Sequence, residues 1–74
     1  MSKLKPIHQR KLIRILERLG FVKIRQKGSH SFYQHQDGRR TVIPIHSNEE
    51  IGVGLLKEIL KEAELTREEY QKLL

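Results

Sequence analysis

Two glycine-containing turn signals divide the middle of this 74-residue chain into three short runs with the composition of β-strands. The runs occupy residues 21–27, 30–36 and 39–45, and the pairs Gly28-Ser29 and Asp37-Gly38 lie between them. β-branched and aromatic residues favour strands, and glycine in such pairs favours two-residue hairpin loops. Strands joined by connections this short pair antiparallel. The sequence therefore predicts a three-stranded antiparallel meander.

The first of these runs alternates between apolar and cationic residues. Val22 and Ile24 fall on one side of an extended chain, and Lys23, Arg25 and Lys27 fall on the other. We therefore predict a strand with one buried apolar face and one exposed cationic face. A cationic face of this kind suits contact with phosphate groups.

An amphipathic helix is predicted before the meander, from about residue 7 or 8 to residue 19. Pro6 suits the first turn of this helix, and Gly20 suits the left-handed position just after its last turn. The basic side chains lie largely opposite an apolar stripe formed by Leu12, Ile13, Leu16 and Leu19.

A second helix is predicted after the meander, and continuous helix is expected from about residue 53. Thr66 and Glu69 have the spacing of a capping box, which predicts a short terminal helix through Leu73. The second helix should pack with the first through an apolar stripe formed by Ile51, Leu55, Leu56, Ile59, Leu60 and Ala63.

The predicted elements form one α+β domain that covers residues 1–74, since a chain of this length supports a single small core. Their order is α-β-β-β-α, with both main helices packed on one face of the antiparallel sheet. This is the layout of a double-stranded-RNA-binding domain. The other face of the sheet is expected to remain open.

The composition excludes several classes of protein. The chain has no cysteine, so neither a disulfide framework nor a thiolate zinc site can form. No apolar run approaches the length of about 20 residues that a membrane span needs, and the first residues lack the apolar core of a signal peptide. We therefore expect a cytoplasmic protein without a membrane partner.

The charge of the chain is divided unevenly. Residues 1–40 contain eleven Lys and Arg against two acidic residues, which gives +9, and residues 41–74 contain four against seven, which gives −3, for a net charge of +6. Such a division favours a polyanion on the basic side and leaves the acidic side for solvent or another protein. A solvated charged surface without a polyanion is the alternative.

The stretch Lys27-Gly28-Ser29-His30 places an imidazole directly after a turn in the most basic part of the chain. Imidazole changes its protonation state near neutral pH and is the commonest general acid or base. Alternatively, His30 is a strand residue packed beside Phe32, because the two share a face if no bulge intervenes.

Several short motifs resemble the HicA toxin family in their order and spacing. The similarity covers about residues 7–70 and rests on GF at 20–21, KGSH at 27–30, DGRR at 37–40, IPIH at 43–46 and the closing ILKEAELTREEY. The resemblance implies a small RNA-cleaving toxin, or mRNA interferase, with a fold like that of the double-stranded-RNA-binding domain. It also implies a HicB-like antitoxin partner that blocks the active surface, and it makes His30 the catalytic histidine.

RNA cleavage without a metal ion requires removal of a proton from the 2′-hydroxyl, cations near the phosphoryl oxygens and a proton for the leaving 5′-oxygen. His30 can carry out the first or the last step, and the sequence leaves that choice open. His46 is a candidate second proton carrier. We expect single-stranded RNA as substrate, no cofactor, and RNA contacts from Arg25, Lys27, Gly28, Ser29, Arg39 and Arg40.

Two other functions fit the same residues. One is a non-catalytic RNA-binding module of this fold, with His30 structural or bound to phosphate, and the other is an interaction protein that docks its partner on the Glu-rich second helix. A metal site through His30, His35, His46 and Asp37 lacks preset ligand spacing, and Asp37 in a turn does not suit a Ser-His-Asp hydrolase. His8 and His35 are expected to be surface residues.

Overall fold

Two main helices and a three-stranded antiparallel sheet form the domain in this computed structural model, which describes residues 3–45 and 50–74. The strand order is β2-β3-β4, and the order α-β-β-β-α of the main elements confirms the predicted α+β fold. The elements are β1 (Ile7–His8), α1 (Gln9–Arg18), β2 (Val22–Lys27), β3 (His30–Gln34), β4 (Arg40–Pro44), β5 (Glu50–Ile51), α2 (Val53–Glu62) and α3 (Arg67–Leu73).

Helix α1 has well-defined ends. Its N-cap is His8, whose Nδ1 accepts a hydrogen bond from the N–H of Arg10 at 3.2 Å. Its C-terminal end is closed by Gly20 at φ 101° and by a hydrogen bond from the N–H of Phe21 to the carbonyl of Leu16 at 3.0 Å. This pairing is that of a Schellman motif, so the predicted role of Gly20 is confirmed.

Helix α2 ends in the same motif without a glycine. The N–H of Leu65 donates to the carbonyl of Leu60 at 2.9 Å, and Glu64 takes the left-handed position at φ 55°. The left-handed conformation costs a residue with a Cβ about 1–2 kcal/mol. Because no glycine marks the position, the sequence carries no signal for this turn.

The two hairpin loops of the sheet differ in length. The first is the predicted two-residue loop, and Gly28 at φ 58° supplies the positive φ that a type II′ turn needs at its first central residue. The second was predicted as Asp37-Gly38, which is wrong, because residues 36–38 form a three-residue loop in which the N–H of Gly38 donates to the carbonyl of His35 at 2.9 Å. A two-residue type I′ turn would need positive φ at both positions, and only Gly38 has it, at 99°.

The core lies between the helices and one face of β3 and β4. Both main helices contact β4. From the sheet, the residues buried toward the helices are Ser31, Tyr33, Thr41 and Ile43. The helices contribute Leu12, Ile15, Leu16, Leu56, Ile59 and Leu60, and Ala63 follows directly after α2. Leu55, predicted in this set, is 40% exposed, and Ile15, which was not predicted, is 2% exposed.

Strand β2 lies at the sheet edge, and all of its residues are exposed. The predicted buried apolar face of this strand is wrong, since Val22 is 60% exposed and Ile24 is 51% exposed. The pairing register of β2 with β3 shifts between Lys23 and Arg25. A bulge of this kind reverses the alternation of side chains beyond it, so Val22 shares a face with Arg25 and not with the core.

Candidate functional site

The open face of the sheet consists of three cross-strand rows. Because directly opposite residues share a face, the pairing registers of β2, β3 and β4 define these rows. None of their residues is buried. The rows are Lys27-His30-Pro44 beside the first turn, Arg25-Phe32-Val42 in the middle, and Val22-Gln34-Arg40 at the far end.

His30 is the first residue of β3 and is exposed. It lies between Lys27 on β2 and Pro44 on β4. Opposite residues in such pairs have Cβ atoms about 4.5–5.5 Å apart, which brings the Lys27 ammonium within reach of any phosphate that contacts the imidazole. His30 also shares its face with Phe32, as parity predicts, but the imidazole is not packed away from solvent.

The turn before His30 is held from two sides. The carbonyl of Ser29 accepts a hydrogen bond from the N–H of Ile45. Gln26 Nε2 donates to the carbonyl of Gly28 at 3.2 Å, and Gln26 Oε1 accepts from the hydroxyl of the fully buried Ser31 at 3.4 Å. The backbone that presents His30 is therefore fixed while the imidazole faces water. Sequence reasoning missed Gln26 because nothing local distinguishes it from a solvated strand residue.

The cations of β2 do not all lie on one face. Arg25 and Lys27 lie on the open face, as predicted. Lys23 was predicted beside them, which is wrong, because it pairs with the buried Tyr33 and its Nζ lies 3.0 Å from Gln26 Oε1 on the other side of the strand. The β-bulge after Lys23 produces this difference.

Arg39 and Arg40 are adjacent in the chain, but their side chains lie in different parts of the fold. Arg40 lies on the open face opposite Gln34, and this row is four residue positions along the strand from the row of His30, a distance of about 13 Å. Arg39 instead points into the fold. Its Nε lies 2.8 Å from Asp37 Oδ2, and its Nη1 donates to the carbonyl of Ala63 at 2.7 Å.

The contacts of Arg39 tie the second hairpin to the helices. The guanidinium meets the carbonyl end of α2, where the helix dipole favours positive charge, and its carbon lies 5.2 Å from the centroid of the Phe21 ring. Hydrogen bonds from Arg39 lower the pKa of Asp37 below its usual value. Arg39 therefore acts as a clamp within the fold.

His35 is a structural residue and not the surface residue that was predicted. Its side chain is 21% exposed, its Nε2 lies 3.0 Å from the carbonyl oxygen of Leu19, and its Nδ1 accepts from the N–H of Asp37 at 3.1 Å. Both ring nitrogens of His35 therefore have partners within the fold. A Cβ at Gly20 would lie 3.0 Å from Nε2, so any other residue here would crowd His35 and would also have to adopt an unfavourable positive φ.

The last predicted site residue is His46. His46 falls outside the described residues. Within residues 3–45 and 50–74, no three His, Asp or Glu side chains are grouped closely enough to hold a metal ion. The helices described here include none with the length and apolar character that a membrane crossing requires.

Comparison with known proteins matches most of the sequence to a family model. The sequence model described as the HicA toxin of bacterial toxin–antitoxin systems matches residues 9–65. The matched segment runs from the start of α1 past the end of α2 and contains all three rows of the open face. No curated protein matches the chain.

Proposed function

The chain belongs to the HicA toxin family of bacterial toxin–antitoxin systems, and we propose that it acts as a ribonuclease that cuts single-stranded messenger RNA without a metal ion. Family membership makes the protein a toxin with a cognate antitoxin. One observation supports the chemical proposal most directly. His30 is exposed beside Lys27 on the open, cationic face of the sheet, and the turn before it is held by hydrogen bonds.

The proposed reaction is an internal transesterification. The ribose 2′-oxygen attacks the adjacent phosphorus and loses its proton, the bond from phosphorus to the 5′-oxygen breaks, and that oxygen takes up a proton. The products are a 2′,3′-cyclic phosphate and a free 5′-hydroxyl. His30 carries one of the two proton transfers, and water or His46, the candidate second proton carrier, carries the other. The ammonium of Lys27 stabilises the negative charge that develops on the phosphoryl oxygens.

The RNA backbone is proposed to run along the three rows of the open face. Lys27 contacts the scissile phosphate beside His30, Arg25 lies one row away, and Arg40 lies in the far row. Gly28 and Ser29 present the turn backbone and a hydroxyl group at the same end. Arg39 takes no part in this path, because its guanidinium binds Asp37 and the carbonyl of Ala63.

Two features favour flexible RNA over other nucleic acids as the substrate. In-line attack by the 2′-hydroxyl is strained in a stacked duplex, so a single strand reaches the reactive geometry more easily. DNA has no 2′-hydroxyl and cannot undergo the reaction.

Incubation of the purified protein with three substrates in excess EDTA tests this function. We expect cleavage of single-stranded RNA, slower cleavage of the same sequence in an RNA duplex, and no cleavage of single-stranded DNA. Gel electrophoresis of end-labelled strands measures all three. Equal cutting of DNA would contradict attack by the 2′-hydroxyl, and loss of RNA cleavage on chelation would contradict the metal-free reaction.

The antitoxin is proposed to be a HicB-like protein that covers His30 and the basic rows. Its acidic groups would meet Arg25, Lys27 and Arg40, because opposite charges across an interface guide association and exclude the polyanionic substrate. The complex of toxin with its cognate antitoxin should therefore leave labelled single-stranded RNA intact under conditions in which the free toxin cuts it. A stable complex that still cleaves RNA would contradict this placement.

A further inference from the structure

We propose that Phe32 and Arg25 form a base-stacking subsite for the nucleotide next to the scissile phosphate. This inference rests on the proposed ribonuclease function and adds a binding element to it. Phe32 occupies the central position of the open face, in the middle row of the middle strand. The carbon of the Arg25 guanidinium lies 4.6 Å from the centroid of its ring.

Phe32 is the aromatic residue available for such contact. The other three aromatic residues of the chain belong to the core, since Phe21 is 1%, Tyr33 4% and Tyr70 2% exposed. Phe32 is half-buried and faces away from the helices. One available aromatic residue is too few for an extended base-stacking platform, but it is enough for a subsite that binds a single base.

The surroundings of Phe32 are apolar on a surface that no described element covers. Val42 is its neighbour on β4, and the bulge on β2 leaves Ile24 51% exposed. Apolar side chains gathered on an open face commonly mark a binding surface. The flat faces of a nucleobase are apolar and its edges are polar, which matches an apolar floor rimmed by arginine.

The distance from Phe32 to the reacting groups suits one nucleotide. His30 and Phe32 are two residues apart on the same face of β3, which separates them by about 7 Å along the strand. A phosphate at His30 and Lys27 therefore leaves an adjoining base within reach of the Phe32 ring. RNA-binding proteins stack unpaired bases on aromatic rings and on arginine guanidinium planes, and Arg25 over Phe32 presents a guanidinium plane supported by an aromatic ring.

Steady-state kinetics of the Phe32→Leu and Phe32→Tyr variants test the subsite. Leucine keeps apolar bulk and removes the ring, so KM for single-stranded RNA should rise by about 5- to 150-fold, the range measured for loss of one base stack. Because the base is bound in the ground state and the transition state alike, kcat should change far less than KM. Phe32→Tyr keeps the ring and should retain the wild-type KM.

A fluorescence measurement detects stacking of a base on the Phe32 subsite without cleavage of the RNA. Single-stranded RNA that contains 2-aminopurine loses fluorescence when the modified base stacks. The His30→Ala protein should quench this fluorescence, and the double variant that also carries Phe32→Leu should quench it much less. Thermal unfolding of each variant verifies that the sheet is intact, which is expected because Phe32 lies outside the core.

The outcomes separate this inference from the function on which it rests. An unchanged KM and unchanged quenching in Phe32→Leu would overturn the subsite, even if the wild-type protein cleaves RNA as proposed. Full cleavage by His30→Ala would overturn the catalytic proposal, whereas the quenching would still report on Phe32. A loss of antitoxin affinity in Phe32→Leu without any change in KM or quenching would assign the ring to the protein partner and also overturn the subsite.

Discussion

The His30→Ala variant is expected to cleave single-stranded RNA with a kcat about 10²–10⁴-fold below that of the wild-type protein, the contribution that one general acid or base makes. The imidazole is exposed on the open face, and none of the described core contacts depends on it. The variant should therefore fold normally and lose a proton transfer. Single-turnover cleavage of labelled RNA in EDTA measures the rate.

His8→Asn is the matched control for this experiment. His8 is also an imidazole, but it lies at the start of α1, where its Nδ1 caps the helix. Asparagine is a good N-cap residue, so this substitution removes an imidazole and preserves the cap. The control should cleave RNA at the wild-type rate. Equal losses in the two variants would contradict a specific role for His30.

The Arg39→Ala variant is expected to lower the melting temperature by about 8–16 °C. Its guanidinium hydrogen-bonds Asp37 and the carbonyl of Ala63 and lies over the Phe21 ring, so alanine removes charge-assisted bonds at the junction of the hairpin and α2. The charge-assisted bond to the partly buried carbonyl of Ala63 contributes about 2 kcal/mol. In a domain of this size each kcal/mol corresponds to about 4–8 °C. Circular dichroism during heating measures the shift.

Arg40→Ala is the matched control for Arg39→Ala. Arg40 is exposed on the open face, and surface substitutions of this kind usually change stability by less than about 0.5 kcal/mol. Its loss should instead weaken RNA binding. Because one phosphate contact is removed, the slope of log K for RNA binding against log salt concentration should become shallower by about 0.7 on a single strand. Equal melting temperatures for the two variants would contradict the stabilising role of Arg39. Equal losses of RNA binding would contradict the assignment of RNA contact to Arg40 and not to Arg39.

The sheet could be predicted from local signals because its turns are local. Gly28-Ser29 fixes the first hairpin, and Gly20 and the capping box of Thr66 and Glu69 fix helix ends through hydrogen bonds between near neighbours. The faces of β2 could not be predicted in the same way. Its bulge depends on pairing with β3, and its apolar residues lie at an edge that no helix covers, so strict alternation placed Val22, Lys23 and Ile24 on the wrong sides.

The candidate site likewise contains residues that local sequence signals predict and residues whose roles depend on the tertiary fold. His30 follows a two-residue turn that sets its pairing with Lys27, and this much is readable from the sequence. In the sequence, Gln26 and Arg39 look like ordinary polar surface residues, because their hydrogen-bond partners are determined by the tertiary fold. The carbonyl that Arg39 binds lies 24 residues away in the chain. His35 likewise becomes structural only when the second hairpin meets the end of α1.

In the proposed reaction, one exposed imidazole on a cationic sheet face promotes attack by the RNA 2′-hydroxyl without a metal ion. Analysis of the new chain ends formed by the wild-type protein in EDTA tests this claim most directly, since each mechanism leaves a different end. We predict 2′,3′-cyclic phosphates and 5′-hydroxyls in the wild-type reaction, formed far more slowly by His30→Ala. Ends with 3′-hydroxyl and 5′-phosphate groups, or equal rates for the two proteins, would contradict it.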